Sequence, residues 1–192
     1  MMDNMEEMTN IKLDQNNSFN NFKISDLPNF INLEALTLSG FALKKEDIAT
    51  INSLQKIKYV CLNFCKLPAN NISFNSNITT IVFNCCTNLD LKQIDFSNVH
   101  TLRIMGTKLN KQLVDMNDLK CNGNLKELWV NIYGIKNIEK VMQVAPNITK
   151  INIDGSGVPN EEVLKSLDIS VSHQKFFMNE EPLFMHKVNE VQ

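Results

Sequence analysis

Apolar residues return along this chain in one short pattern. In Leu33-Glu34-Ala35-Leu36-Thr37-Leu38 the first, fourth and sixth positions are apolar and the others are small or polar. The same spacing recurs in Ile57-Lys58-Tyr59-Val60-Cys61-Leu62, Ile78-Thr79-Thr80-Ile81-Val82-Phe83, Val99-His100-Thr101-Leu102-Arg103-Ile104, Leu125-Lys126-Glu127-Leu128-Trp129-Val130 and Ile148-Thr149-Lys150-Ile151-Asn152-Ile153. A weaker copy with Met8, Ile11 and Leu13 precedes these, and a degenerate one with Val171, Gln174 and Phe176 follows. The starts at 8, 33, 57, 78, 99, 125, 148 and 171 are 25, 24, 21, 21, 26, 23 and 23 residues apart. Alternation over the second half of each copy predicts a strand with one apolar face.

A second column runs three residues after the last apolar slot: Asn16, Phe41, Cys65, Cys86, Thr107, Tyr133, Ser156 and Asn179. Two residues further on, Leu43, Leu67, Leu109, Ile135 and Val158 give another apolar position. This combination resembles the leucine-rich-repeat family, whose repeats are about 20–29 residues long and carry Asn or Cys in the second column. The resemblance extends from about Met8 to about Val158. It is closest to the cysteine-containing and ribonuclease-inhibitor-like subclasses. A short polar side chain there can satisfy main-chain groups turned inward where the chain bends after each strand. Phe41 and Tyr133 depart from that chemistry, so the ladder is expected to break at those two places.

The resemblance implies an α/β fold: a right-handed solenoid, or short horseshoe, with a parallel sheet on its concave face and short helices or extended turns on its convex face. Residues 1–170 are expected to form one domain of about seven repeats, with 171–192 as a C-terminal cap or partly ordered tail. The returns between strands differ. Ile48 and Ile51 suit a short helix over Lys44–Ile51, and Ile138, Val141, Met142 and Val144 suit one over Lys136–Ala145, ahead of Pro146. Pro159 with Glu161 and Glu162 marks a further helix start. Pro68–Asn77 and Leu89–Asn98 are short and Asn-rich, and read as extended or single-turn connections.

Composition adds exclusions. Of 192 residues, 43% are apolar and 21% charged, and the formal net charge is −2, which gives no sign of a nucleic-acid surface or a polybasic membrane patch. The acidic start, Met1 to Glu7, lacks the features of a secretory signal. Cys61, Cys65, Cys85, Cys86 and Cys121 are odd in number and contain no CxxC pair, so free thiols in the cytoplasm or nucleus are expected, or in the host cytosol if the source is a pathogen. The many asparagines read as compositional drift, and the sequons at Asn71 and Asn147 follow from that abundance.

Positions between the apolar slots form three columns on the opposite strand face. They are Asn10, Ala35, Tyr59, Thr80, Thr101, Glu127, Lys150; then Lys12, Thr37, Cys61, Val82, Arg103, Trp129, Asn152; then Asp14, Ser39, Asn63, Asn84, Met105, Asn131, Asp154. Tyr59, Val82, Arg103, Met105 and Trp129 should meet near the middle. Trp, Tyr and Arg dominate interface hot spots, so these five are candidate contacts for a protein or peptide partner. The alternative is that Trp129 and Tyr59 are β-favouring residues tolerated on an open face.

The remaining chemistry is sparse. His100, His173 and His186 lack partners at metal-ligand spacing, and no Ser-His-Asp or Cys-His order stands out, so no metal, cofactor or catalytic activity is expected. Asp154-Gly155-Ser156-Gly157 matches a phosphate loop only in composition and falls at a turn. The expected function is a monomeric protein-interaction scaffold, without nucleic-acid or membrane partners. The alternative is an adaptor or effector, similar to a ubiquitin-ligase receptor or a host-directed pathogen protein, docking through its C-terminal tail. With seven residues ahead of the first repeat, no F-box-like module is expected there.

Overall fold

The computed structural model describes residues 5–16, 23–69, 71–106, 114–131, 135–154 and 170–172. Twelve strands are present among them: β1 (Asn10–Asp14), β2 (Ala35–Ser39), β3 (Tyr59–Asn63), β4 (Ile72–Ser73), β5 (Thr80–Asn84), β6 (Ile94–Asp95), β7 (Thr101–Met105), β8 (Val114–Asp115), β9 (Glu127–Asn131), β10 (Ile135–Lys136), β11 (Lys150–Asp154) and β12 (Ser170–Ser172). Two α-helices join them, α1 (Lys45–Ser53) and α2 (Val141–Val144). The architecture is mixed α/β. Its main sheet has eight strands in the order β1-β2-β3-β5-β7-β9-β11-β12, every neighbouring pair parallel.

Register follows the apolar slots. Ile11, Leu36, Val60, Ile81, Leu102, Leu128 and Ile151 are successive Cα partners, as are Leu13, Leu38, Leu62, Phe83, Ile104, Val130 and Ile153. From Leu36 onward both rows are at most 1% exposed. The strands cannot slip by one residue without turning both rows to the other face. At the far end, Ile151 pairs with Val171. Val171 therefore takes the second apolar slot of its copy, and not the first as the apolar spacing suggests. The boundary expected between 170 and 171 falls inside β12.

One main-chain motif precedes six strands of the main sheet, β2, β3, β5, β7, β9 and β11. The carbonyl oxygens of Thr9, Glu34, Lys58, Thr79, His100 and Lys126 each accept two consecutive N–H groups from the next copy, at 2.7–3.1 Å. Just before it, the amides of Leu33, Ile78, Val99 and Ile148 donate three residues back, to Phe30, Asn75, Phe96 and Ala145. These turns swing the chain from the return segment into the sheet.

The returns vary as their sequences require. In α1, Ile48 and Ile51 are buried in the apolar core, and the Asp47 carboxylate accepts the Lys44 N–H at 2.7 Å, half of a capping box. Ile138–Lys140 forms a 3-10 turn leading into α2. Among the described residues, the two short Asn-rich returns hold the two-residue strands β4 and β6, which pair in parallel, and a 3-10 turn at Leu91–Gln93. The helix start at Pro159 and the cap or tail over 173–192 lie outside the described residues.

The asparagines have a structural role that compositional drift does not anticipate. Asn77, Asn124 and Asn147 each stand immediately before a first apolar slot. Their side-chain amides donate to Gln55 O (2.9 Å), Ser97 O (2.6 Å) and Gly123 O (2.6 Å) of the preceding copy. Asn32 makes the equivalent bond to Glu6 O. Where Lys56 interrupts the column, its ammonium donates to Asn32 Oδ1 at 2.6 Å. Cys65 and Cys86 perform a similar task after the strands, their thiols facing Leu38 O (3.4 Å) and Leu62 O (3.1 Å). Phe41, in the same column, is half-buried against the apolar core; Tyr133 lies outside the described residues.

Candidate functional site

The half-exposed face of the sheet is built by the residues between the apolar slots. Register aligns them in three rows. The first runs Asn10, Ala35, Tyr59, Thr80, Thr101, Glu127, Lys150; the second Lys12, Thr37, Cys61, Val82, Arg103, Trp129, Asn152; the third Asp14, Ser39, Asn63, Asn84, Met105, Asn131, Asp154. Rows of this kind arise because side chains alternate across the pleat and parallel strands bring equivalent positions side by side.

Four of the five candidate residues fall into two groups linked by Arg103, and Met105 stands apart in the third row. On β7 and β9, Arg103 and Trp129 are in-register partners. The guanidinium carbon lies 4.4 Å from the indole centroid. Lys150, on β11, places its ammonium 4.9 Å from the same ring. The Trp129 N–H donates to Glu127 Oε2 at 3.3 Å, fixing the edge of the ring against its own strand. Trp129 is thus held by a cation from each flanking strand and by a carboxylate along its own.

The second group lies on β3 and β5. Burial, reinforced by Cys61, pushes the Tyr59 phenol above its ordinary range. Burial likewise raises the Cys61 thiol to about 11, and Arg103 is near enough to oppose both shifts. Val82 is 3% exposed and Cys61 6%, so Val82 is part of the floor beneath the face. Met105 is half-exposed in the third row, between Asn84 and Asn131 in register. The structure adds Lys150 and Glu127 to the residues around Trp129. Their signal in the sequence is column position: both belong to the first row, next to the row that holds Trp129.

Other regions carry less organised chemistry. On the return side, Ser73, Asp95, Lys120 and Gln143 border an open depression with buried Ile72 and Cys121 at its base. Among the described residues, no three His, Cys, Asp or Glu side chains gather as a metal site requires. No helix among them is long and apolar enough to cross a membrane. His173, His186 and Gly155–Gly157 lie outside the described residues. Set against protein-family models, curated proteins and solved structures, the chain finds no match.

Proposed function

We propose that this chain is a leucine-rich-repeat solenoid acting as a protein-interaction scaffold, with no catalytic role, and that it binds a protein or peptide partner on the half-exposed sheet face around Arg103 and Trp129. The repeat reading is supported by the in-register apolar rows, the parallel strand order and the side-chain bridges between successive copies. A chain of stacked copies presents one long, regular surface, the usual recognition surface of such architectures.

The single observation behind the binding reading is Trp129 set between Arg103 and Lys150 on an open strand face. A solvent-facing strand position needs no indole for packing, and Trp and Arg supply most of the affinity where interfaces have hot spots. Charges of both signs on the face, including Lys12, Asp14 and Glu127, fit a polypeptide better than a phosphate backbone.

The test is selection of binders from a displayed peptide library on the purified chain, followed by titration against Arg103→Ala and Trp129→Ala. Binders should weaken at least about tenfold on each variant, a loss of about 1.4 kcal/mol, while circular dichroism shows both variants folded. Binders indifferent to both substitutions place recognition on another surface.

A further inference from the structure

We infer that Asn122 is a site of spontaneous covalent modification. Its side-chain amide is lost to attack by the Gly123 main-chain nitrogen, and the isoaspartyl product loosens the junction between the copies that start at Val99 and Leu125. This inference is independent of the proposed binding face.

The chain holds many asparagines but one Asn-Gly pair, Asn122-Gly123. Glycine has no side chain to shield its nitrogen. The pair lies in an irregular segment between Lys120 and β9, and Asn122 is exposed. Among the described residues, neither the Asn122 side chain nor the Gly123 N–H has a hydrogen-bond partner. The Gly123 nitrogen gives up its proton to hydroxide and bonds to Asn122 Cγ. The Cγ–Nδ2 bond breaks, ammonia leaves, and a cyclic imide forms. Water then opens the imide at either carbonyl. One opening leaves an aspartyl residue at position 122. The other leaves an isoaspartyl residue, which adds a carbon to the main chain.

The fold withholds the same reaction from competing asparagines. Asn52 and Asn75 each precede a serine, another small residue. The Asn52 amide donates to Ser73 O at 2.8 Å, and the Asn75 amide to Asn52 O at 2.6 Å. Their Oδ1 atoms accept the N–H groups of Asn75 and Asn77, each at 2.9 Å. A side chain held at both ends cannot swing its carbonyl carbon onto the next nitrogen without losing both bonds. The surroundings of Gly123 make the isoaspartyl product costly. Its carbonyl oxygen accepts the Asn147 amide at 2.6 Å, its φ is 77°, and the Pro146 ring lies 3.4 Å from where a Cβ would stand. A main-chain carbon inserted just before Gly123 shifts that oxygen away from Asn147. An aspartyl residue keeps the main-chain length and leaves the bridge in place.

The experiment ages the purified full chain at mildly alkaline pH, folded and in urea. Digests are mapped by mass spectrometry, with chromatography that separates aspartyl from isoaspartyl peptides. In the folded chain Asn122 should deamidate at least about tenfold faster than Asn52 and Asn75, a difference of about 1.4 kcal/mol in activation free energy. That lead should narrow in urea, where unfolding releases the two held asparagines. An Asn122 that stays intact in the folded chain, or a lead as large in urea as in the fold, overturns the site. Stability then separates the products. The isoaspartyl fraction should show a urea midpoint lowered about as far as that of Asn147→Ala, while fresh Asn122→Asp should match fresh wild type. Aged Asn122→Gln, whose longer side chain closes the ring far more slowly, should keep its midpoint. If that variant declines as fast as aged wild type, or if the isoaspartyl fraction unfolds at the wild-type midpoint, the loosened junction is refuted.

Discussion

Arg103 lies over the ring of Trp129, 4.4 Å from its centroid, although 26 positions separate the two in sequence. The contact exists because β7 and β9 pair in parallel with Arg103 opposite Trp129. A half-exposed cation–π contact of this kind is worth roughly 0.5–1 kcal/mol, rising toward about 2 where water is excluded.

That contact predicts a measurable coupling. In a double-mutant cycle of Arg103→Ala and Trp129→Leu, urea unfolding should give an interaction energy of about 0.5–1 kcal/mol. Trp129 is the sole tryptophan, so its emission reports on the site directly. Arg103→Ala and Lys150→Ala should each shift or brighten it. A coupling near zero with unchanged emission would mean that the contact is not held in solution.

The asparagine bridges predict a cost at positions that look like surface. Asn147→Ala removes a donor to Gly123 O, and Asn77→Ala one to Gln55 O. Each should destabilise by about 0.5–1.5 kcal/mol in chemical denaturation. Asn122→Ala, at an exposed asparagine outside the column, should change stability by less than about 0.5 kcal/mol. Equal small effects at all three sites would contradict a bridging role.

Backbone conformation after the strands gives a third prediction. Gly40, Phe64 and Cys85 follow β2, β3 and β5, and all have positive φ, at 80°, 51° and 52°. Only Gly adopts that region without cost; other residues lose roughly 1–2 kcal/mol there. Phe64 is also 65% exposed, so its ring returns little through burial. Phe64→Gly should be neutral or stabilising by up to about 1 kcal/mol, because relief of strain competes with the greater unfolded-state entropy of glycine. Gly40→Ala should cost about 1 kcal/mol. A Cβ at Gly40 meets its nearest atoms at 3.7 Å, so that cost arises from the backbone and not from a clash. Thermal midpoints of both variants decide the matter, and a clear loss on Phe64→Gly would assign that ring a structural contact.

The thiols predict a pH dependence. Burial raises Cys61 and Cys121 to about 11 and Cys86 to about 12, from an ordinary 9.0. Above 9.0 the unfolded chain releases these protons while the folded chain retains them. Stability from this source is therefore complete below about pH 9 and declines as pH rises toward 11–12. Urea midpoints should fall across that window, and Cys86→Ala should flatten the slope even though it lowers the midpoint at neutral pH. In thiol labelling of the native protein near pH 8, half-exposed Cys85 should react before the buried four.

Much of the fold is legible in the residues. The six strong copies predict strands β2, β3, β5, β7, β9 and β11, and the weaker Met8 copy predicts β1. The final copy was not legible in the same way. Val171, Gln174 and Phe176 match the spacing only in a degenerate way, and backbone pairing sets Val171 beside Ile151. Where a copy has a polar residue in an apolar slot, as Gln174 is in that spacing, the spacing alone does not choose between two registers. The asparagine column was visible at Asn32, Asn77, Asn98, Asn124 and Asn147, but abundant asparagine elsewhere concealed it.

The sequence by itself determined the period, the strand positions and the three rows of the open face, because side-chain alternation in a strand is local and stacking equivalent strands adds no new variable. Only the tertiary structure decided what those rows become. It placed Val82 and Asn152 at 3% and 4% exposure on a nominally open face, and it turned Arg103 and Lys150 onto Trp129 from opposite sides. Long side chains choose their rotamers according to neighbours on the next strand, more than twenty residues away in sequence, and no local pattern encodes that choice.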